Sequence, residues 1–267
     1  MRDKIAMIAF FILLVVSSSL LAKESFFNHP LRIEPASVYT KIRVDANARE
    51  NREDNYYERH RGGTLEGEFS FYNFAIKGSA GKSRLERSGT STLDMYDRFM
   101  VGLKYGREYG STTGAFAWGL GLKGFSRIRN FQEYKKDTQE QNLYLIRPNL
   151  SLGLRLLQFE LQAEAHVQTE TNSSFRENTL QQFRRHYQGG VAISYGFGEN
   201  FRLFAESEYR EPYTKKVDTK TRFWNIYPGF SYQIYSGGRL AFSYQISMMK
   251  EKWNDDRGGR ISYFHFF

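Results

Sequence analysis

Apolar and polar residues alternate along most of this chain, and this alternation limits what the chain can fold into more than any other feature. In FMVGLKYG (99–106), every second residue is large and apolar, and the residues between them include glycines and a lysine. The same pattern runs through AFAWGLGLKGFSR (115–127) and FELQAEAHVQ (159–168). Because successive side chains of a β-strand point to opposite faces, each stretch is expected to be a strand with one apolar and one polar face.

Twelve stretches of this kind follow one another, and the connections between them alternate in length. Tyr72-Asn73 is a short connection, whereas NREDNYYERHRGG (51–63) is longer and charged. The pattern predicts an all-β protein whose antiparallel strands are joined in chain order as one domain, residues 23–267. The predicted strands are residues 38–49, 64–71, 74–86, 97–107, 113–129, 141–155, 158–169, 182–195, 201–212, 221–234, 239–252 and 259–267.

The first 22 residues differ from the rest of the chain. Arg2 and Lys4 precede an unbroken apolar run over residues 5–16, and small residues follow up to Ala22. This is the layout of a secretory signal peptide over residues 1–22, and cleavage is expected after Ala22. A retained helical anchor is the alternative, but a spanning helix needs about 20 apolar residues and this run is shorter.

The polar faces of the strands distinguish a soluble β-sandwich from a membrane barrel. A sandwich turns its apolar faces inward, whereas a transmembrane barrel turns them toward lipid. Here the polar faces are rich in Gly, Ala, Ser and isolated charges, and aromatic residues such as Trp118, Tyr144 and Trp224 stand near the ends of the apolar faces. Aromatic girdles of this kind mark the two membrane interfaces. The sequence therefore predicts a transmembrane, antiparallel, up-and-down β-barrel of about 12 strands.

The last ten residues, GGRISYFHFF, carry a resemblance to a known class of protein. Ile261, Tyr263, His265 and Phe267 fall on one face of a closing strand that ends in an aromatic residue. With the signal peptide and the amphipathic strands, the chain resembles a bacterial outer-membrane β-barrel of the porin type. In its size it is also similar to small twelve-stranded monomeric porins for acidic oligosaccharides. The resemblance implies a location in the outer membrane of a diderm bacterium, in contact with its lipid. It also implies that the barrel assembly machinery reads Tyr263 and Phe267.

The short turns and loop centres place five side chains of the polar faces in one row across the lumen. In this row each residue is expected to lie opposite the next: Lys123, Arg147, His166, His186 and Arg210. Directly opposed like charges are destabilising, so a basic row needs an acidic neighbour, water or a passing anion to offset it.

Acidic and further basic residues extend this lumen site. Bases dominate strands three to six, whereas acids are more frequent on strands seven, nine and eleven, which predicts a transverse field across a narrow water path. We expect slow diffusion of small, anionic solutes along this path. The alternative is a structural or surface-interaction barrel with a plugged lumen. The further residues assigned to the site are Lys104, Arg127, Glu164 and Glu208, with Asn149 and Gln188 in the second row.

Other chemistries have little support in the sequence. The chain has no cysteine, which excludes disulfides and thiolate metal sites, and nothing in it requires a cofactor. His166 and His186, with Glu164 nearby, supply too few ligands for a typical zinc site, so no metal is predicted. The His-x-Ser pattern of barrel phospholipases is absent, and no nucleic-acid-binding module is present, so neither an enzyme nor a nucleic-acid partner is expected. The charged loop 51–63 is the one candidate for a surface partner. The oligomeric state is left open.

Overall fold

The computed structural model describes residues 27–53, 56–87, 91–111, 113–133, 139–172, 182–213, 222–249 and 257–267. The predicted signal peptide, residues 1–22, lies outside these residues. Within them there is no helix long and apolar enough to cross a membrane.

Twelve β-strands in the described residues form one closed barrel. Every strand pairs antiparallel with its neighbours in the chain, and β1 pairs with β12 to close the sheet. This confirms the predicted all-β, up-and-down barrel. The strands are β1 (Lys41–Glu53), β2 (Tyr56–Phe71), β3 (Phe74–Arg87), β4 (Ser91–Gly110), β5 (Gly114–Glu133), β6 (Gln139–Leu156), β7 (Phe159–Asn172), β8 (Gln182–Phe197), β9 (Phe201–Pro212), β10 (Phe223–Tyr235), β11 (Gly238–Ser247) and β12 (Arg257–Phe266).

The two ends of the barrel differ in the connections between their strands, and we call them the turn end and the loop end. At the turn end, short connections such as Tyr72-Asn73 join the strands, and the first residue of β1 pairs with the last residue of β12. Tyr72 and Leu157 both have φ of 54° there, because tight two-residue turns need backbone in the left-handed region. The opposite end, where β1 passes into β2 and β3 into β4, is the loop end. In outer-membrane barrels short turns face the periplasm.

Strands at the loop end are longer than the sequence predicted. The stretch 51–63 was expected to be a loop, but β1 continues to Glu53 and β2 begins at Tyr56, so most of it is strand. Its charge density was the reason for the wrong interpretation. Cross-strand ion pairs support charged strands here, as between Arg59 Nε and Glu50 Oε2 at 3.3 Å.

The apolar side chains of the strands point out of the barrel, and the polar ones point in. Leu103 and Ile146 are each 59% exposed, whereas Lys41 and Glu160, on the inner face, are 1% exposed. An inside-out distribution of this kind suits a barrel surrounded by acyl chains. The predicted assignment of the faces is therefore confirmed.

The terminal strand β12 uses its aromatic residues on both faces. Ile261 is exposed on the outside, as predicted. Phe264, however, points inward and is completely buried beside Leu31 and Ala241, and its ring stacks on that of Phe266. Only part of the aromatic end of the chain therefore faces outward.

Residues 27–40 lie inside the barrel and are here called the inserted segment. The segment leaves β1 at the turn end, rises into the lumen and returns, so that the Tyr39 hydroxyl donates to the Phe27 carbonyl at 3.0 Å. Most of its side chains are buried. The sequence had not predicted this element, and the first strand was expected to begin at residue 38.

Candidate functional site

Three glutamates on one side of the lumen bind the backbone of the inserted segment. Glu206 of β9 accepts the consecutive N–H groups of Leu31 and Arg32, each at 2.6 Å. Glu160 of β7 accepts the N–H of Asn28 at 3.0 Å. Glu164, also on β7, accepts the Glu34 N–H at 2.7 Å. Glu160 also accepts a hydrogen bond from the Asn28 side-chain amide at 2.6 Å. Hydrogen bonds to an ionised acceptor are roughly twice as strong as neutral ones, so these carboxylates hold the segment firmly, mainly through its backbone.

Three lysines on the other side of the lumen converge on one side chain of the segment. Lys77 of β3 and Lys123 of β5 each form an ion pair with the Glu34 carboxylate. Lys104 of β4 lies 3.4 Å from the same carboxylate and also donates to the carbonyl of Ser37. Lys77 also lies 3.0 Å from Glu68 of β2. Because Glu34 and the Lys77 and Lys104 side chains are almost completely buried, each of these charges depends on such neighbours for compensation.

A second charged cluster lies where the segment joins β1. His29, Glu66 and Glu68 bring possible metal-ligand atoms within 4.8 Å of one another. The Lys41 ammonium group occupies the middle of this set: it lies 3.2 Å from Glu66 and 3.0 Å from Glu68 and contacts His29 Nε2. These residues therefore already hold a cation of their own, and they do not fit a metal ion.

Small residues of the wall make room for the segment. A Cβ atom on Gly106 of β4 or on Gly119 of β5 would lie 2.5 Å from the carbonyl oxygen of Ala36. On the other side of the lumen, a Cβ on Gly190 of β8 would collide with the Ile33 side chain. The glycines of the inner faces thus leave a space that the backbone of the segment fills.

The fit between segment and wall is close where residues Asn28–Leu31 face strands β7–β11. A cavity of about 30 Å³ remains between residues Asn28–Leu31 and strands β7–β11, which is room for about one water molecule. Below it, a wider cavity of about 380 Å³ opens between Phe27, Tyr39 and Phe267. The lumen is therefore occupied along the wall that carries Glu160 and Glu206.

The loop-end part of the lumen is polar and contains several buried nitrogen atoms that have no hydrogen-bond partner within the described part of the chain. Among the described residues, both ring nitrogens of His186, the Nε2 of His166 and the Nε of Arg147 are buried without a hydrogen-bond partner. Buried polar groups are normally satisfied by protein or ordered water. This half of the lumen is therefore expected to contain water above the inserted segment.

The predicted row of five side chains is correct at its first step. Lys123 lies directly opposite Arg147, as expected. His166 was expected opposite Arg147, but it pairs with Asn149, because the β6–β7 turn consists of Leu157-Gln158 rather than Leu156-Leu157. Moving a turn by one residue shifts the register of the hairpin by two.

The remaining steps of the row are wrong by the same amount. His166 and Arg210 both pair with Gln188, and neither of them pairs with His186. The β8–β9 turn is centred on Glu199 rather than on Gly198, which accounts for the second shift. The two histidines are thus not a facing pair, and His186 pairs with Gln168.

The structure divides the predicted site residues into three groups. Lys104, Lys123 and Glu164 bind the inserted segment directly. Arg147 lies 3.5 Å from Glu164, and His166 Nδ1 lies 3.0 Å from it, so both surround the segment without touching it in the described contacts. The others lie on the wall toward the loop end: Arg127, His186, Glu208 and Arg210.

Comparisons with known proteins agree with this architecture. No model of a known protein family matches the sequence, and no curated protein matches it either. Among solved structures, the transport unit of the autotransporter AIDA-I from Escherichia coli matches with a TM-score of 0.64 at 10% identity. The match covers 95% of this chain and 97% of that one.

Two further structures are similar to the same degree. An outer-membrane channel from Pseudomonas putida F1 matches with a TM-score of 0.60 at 11% identity, over 90% of this chain and all of that one. The translocator domain of autotransporter NalP from Neisseria meningitidis matches with a TM-score of 0.56 at 13% identity, over 99% and 98%. The fold is that of an outer-membrane β-barrel. Small porins match with TM-scores below 0.5, so the narrower resemblance to porins for acidic oligosaccharides stays a prediction.

Sequence reasoning missed the candidate site residues of this outer-membrane barrel that precede β1. Glu34 and the backbone of its neighbours are the partners of the charged wall, but residues 27–37 were assigned to no element. Two signals were available. Pro30 and Pro35 are two of the five prolines in the chain and argue against a strand. The inner faces of β4 and β5 also carry glycines and alanines that are too small to fill the lumen.

Proposed function

We propose that this protein is an outer-membrane channel for small anionic solutes that its own inserted segment closes. One observation carries the proposal: Lys77, Lys104 and Lys123 hold the carboxylate of Glu34. A carboxylate tethered to the chain thus occupies a position where the wall offers three ammonium groups to an anion. In this proposal a carboxylate or phosphate solute takes the place of Glu34 when the segment leaves.

The contacts of the segment support its release as a unit. They are mainly charge-assisted hydrogen bonds to wall carboxylates and lysines, for which water and ions can substitute. Apolar packing is limited to small clusters, such as Phe27 and Ala36 against Ala115 and Ala117. Phe27 and Tyr39 touch at the turn end. Because both ends of the segment lie at the turn end, the segment can move out of the lumen there as a hairpin.

The open channel would have two walls of opposite charge. Lys77, Lys104 and Lys123 line one side, and Glu160, Glu164 and Glu206 line the other. A transverse field in a narrow water path orients and selects charged solutes. Toward the loop end Arg127 and Arg147 continue the basic side, whereas Arg210 lies beside Glu208 on β9, the strand that carries Glu206.

Planar-bilayer conductance tests the proposal. The wild type is expected to conduct little, and a variant lacking residues 28–38 is expected to conduct steadily, because the flanking residues Phe27 and Tyr39 already touch. In the deletion background, Lys123→Glu should shift the reversal potential in a salt gradient toward cations. Arg185→Glu, which changes an outward-facing residue, should not.

Two outcomes of these experiments would contradict the proposal. A folded deletion variant that does not conduct would contradict the channel. Equal reversal potentials for the two deletion variants with and without Lys123→Glu would contradict anion selection by the lysine wall.

A permanently closed structural or surface-interaction barrel is the second candidate. The burial of Glu34 and its lysines favours it, because breaking a buried ion pair is costly. The two candidates differ in whether the segment ever leaves the lumen.

Export and assembly complete the proposal. Cleavage after Ala22 would leave four residues before Phe27, which lies at the turn end. The barrel assembly machinery would read Tyr263 and Phe267, and outer-membrane lipid would cover the apolar face. No catalytic step is assigned to the barrel.

A further inference from the structure

A group of basic side chains stands on the outer surface of β2 and β3, just beyond the apolar band. Arg61 and Lys82 are exposed and point away from the lumen, on the same faces as Leu65 and Ile76. Arg61 lies ten residues along β2 from Phe71 at the turn end. At about 3.3 Å per residue and a tilt of about 40°, it stands about 25 Å higher, which is the height of the apolar band of an outer-membrane barrel.

The register brings like charges together in this group. Arg61 is directly opposite Arg84, and Lys82 is opposite Gly63, one step closer to the apolar band. Directly opposed side chains have Cβ atoms about 5 Å apart, and like charges at that spacing are destabilising unless an anion lies between them. The three residues Arg61, Lys82 and Arg84 are called the outer basic group.

Acidic neighbours compensate only part of this charge. Asp94 binds Arg84 through two hydrogen bonds, at 2.7 and 3.0 Å. Glu50, farther from the apolar band, is paired with Arg59. Glu86 lies opposite Arg59, in the same outer row. Asp94 also lies close enough to Lys82 to interact with it electrostatically. Among the residues that the structure describes, however, neither Arg61 nor Lys82 forms an ion pair with a carboxylate, so Asp94 is shared among the bases of the group.

An aromatic ring marks the depth of the group in the membrane. The Lys82 ammonium group lies 5.0 Å from the centroid of the Tyr96 ring, and Tyr96 is directly opposite Lys82 on β4. Tyrosine and basic side chains occur together at the level of lipid headgroups. Elsewhere on the described outer face of the loop end, no such pair of opposed bases is found: Arg185 is opposite Thr169, Arg257 is opposite Glu50, and Arg222 is paired with Glu211 at 3.0 Å.

We propose that the outer basic group binds the phosphate of an outer-leaflet lipid. The loop end faces the outer leaflet when the short turns face the periplasm, so the phosphorylated glycolipid lipid A supplies the chemistry that the group fits. Arginine forms paired hydrogen bonds to phosphate, and a lysine acts as an additional point charge. Acyl chains of the same lipid would lie on the apolar band below, against Leu65 and Ile76. The site is on the outside of the barrel and is independent of the channel.

Native mass spectrometry of the folded, detergent-solubilised full-length protein tests this site. The probes are bisphosphorylated lipid A, the same lipid without its phosphates, and inorganic phosphate. The variant Arg61→Gln/Lys82→Gln leaves the Arg84–Asp94 pair intact and is exposed, so it should fold, which a heat-modifiable band on a gel verifies. Since each base near an anionic surface contributes to lipid affinity, the variant should bind bisphosphorylated lipid A about tenfold or more weakly than the wild type.

Matched controls make the result specific. Arg107→Gln changes an outward base at the turn end, and Arg185→Gln changes one on β8; both should bind lipid A as the wild type does. Dephosphorylated lipid A should bind weakly to all forms. Equal binding of bisphosphorylated lipid A by the wild type and the double variant would overturn the proposal. So would tight binding of dephosphorylated lipid to the wild type, or complete displacement of lipid A by micromolar inorganic phosphate, which would indicate a site for a free anion.

Discussion

The carboxylate of Glu34 and the ammonium group of Lys123 form an ion pair inside the lumen, between a segment that precedes the first strand and the wall of the fifth. Lys77 contacts the other oxygen of the same carboxylate. The segment and the wall are therefore joined by an ion pair at the point where, in the proposed channel, an anion would pass.

Replacing Glu34 with Gln should loosen the inserted segment. The amide keeps the size of the side chain, but it removes the carboxylate that the three lysines share and leaves only Lys77 with a second ion pair, to Glu68 at 3.0 Å, among the described contacts. Removing one partner of a buried pair costs about 3–5 kcal/mol. We expect more frequent opening events in planar bilayers. Glu50→Gln removes a carboxylate from an exposed outer pair and should conduct as the wild type does. Identical traces for the two variants would show that Glu34 does not hold the channel closed.

A single cysteine at Ser37 should report whether the segment leaves the lumen. Ser37 is completely buried and cysteine is of similar size, and the chain has no other cysteine to interfere. A charged maleimide should label Ser37→Cys slowly, and faster when Glu34→Gln is added. Ser111→Cys, in an exposed turn, should react rapidly in both backgrounds. A thiol at position 37 that never reacts in folded protein would favour the permanently closed barrel.

The wall glycines offer a steric test that leaves every charge in place. In Gly119→Ala the new methyl group would meet the Ala36 carbonyl, and overpacking of this kind costs about 1–3 kcal/mol. The segment should be displaced and conductance should rise. Gly67→Ala is the control, because a Cβ at Gly67 meets nothing within 4 Å. An increase of the same size in both variants would mean that the segment is not the obstacle.

Truncating Phe264 should lower the stability of the barrel, whereas truncating Phe267 should slow its assembly. Phe264 is fully buried inside the barrel, so Phe264→Ala should lower the free energy of unfolding by about 3–5 kcal/mol. The Phe267 N–H donates to the Thr40 carbonyl at 3.0 Å, a bond that does not need the side chain. Phe267→Ala should therefore keep its stability in urea unfolding but reach the membrane more slowly. Equal loss of stability in both variants would remove the assembly role of Phe267.

Much of the fold could be predicted because each strand carries its own signal. Alternation fixes which side chains face outward, and it placed Leu103 and Lys104 on opposite faces without any knowledge of neighbouring strands. The pairing of Lys123 with Arg147 also followed from the sequence. Registers depend on turns, however, and a turn that begins one residue later than expected moved His166 away from Arg147.

The inserted segment could not be predicted in this way, because its structure comes from the wall that surrounds it. FNHPLRIEPASVYT has no repeating pattern, and its backbone groups bind carboxylates from strands far away in the chain. The charge asymmetry between the walls stays a prediction, and Glu34 and the segment backbone, rather than water alone, lie between Lys123 and Glu164.

Gly106 and Gly119 lie on adjacent strands, and a Cβ atom at either position would collide with the same carbonyl oxygen, that of Ala36. Neither position can therefore acquire a side chain while Ala36 stays where it is. In related sequences, the residues at positions 106 and 119 should therefore vary together with the presence or absence of the inserted segment. A lineage that has lost the segment is expected to tolerate bulk at both glycines, and one that has kept it is not.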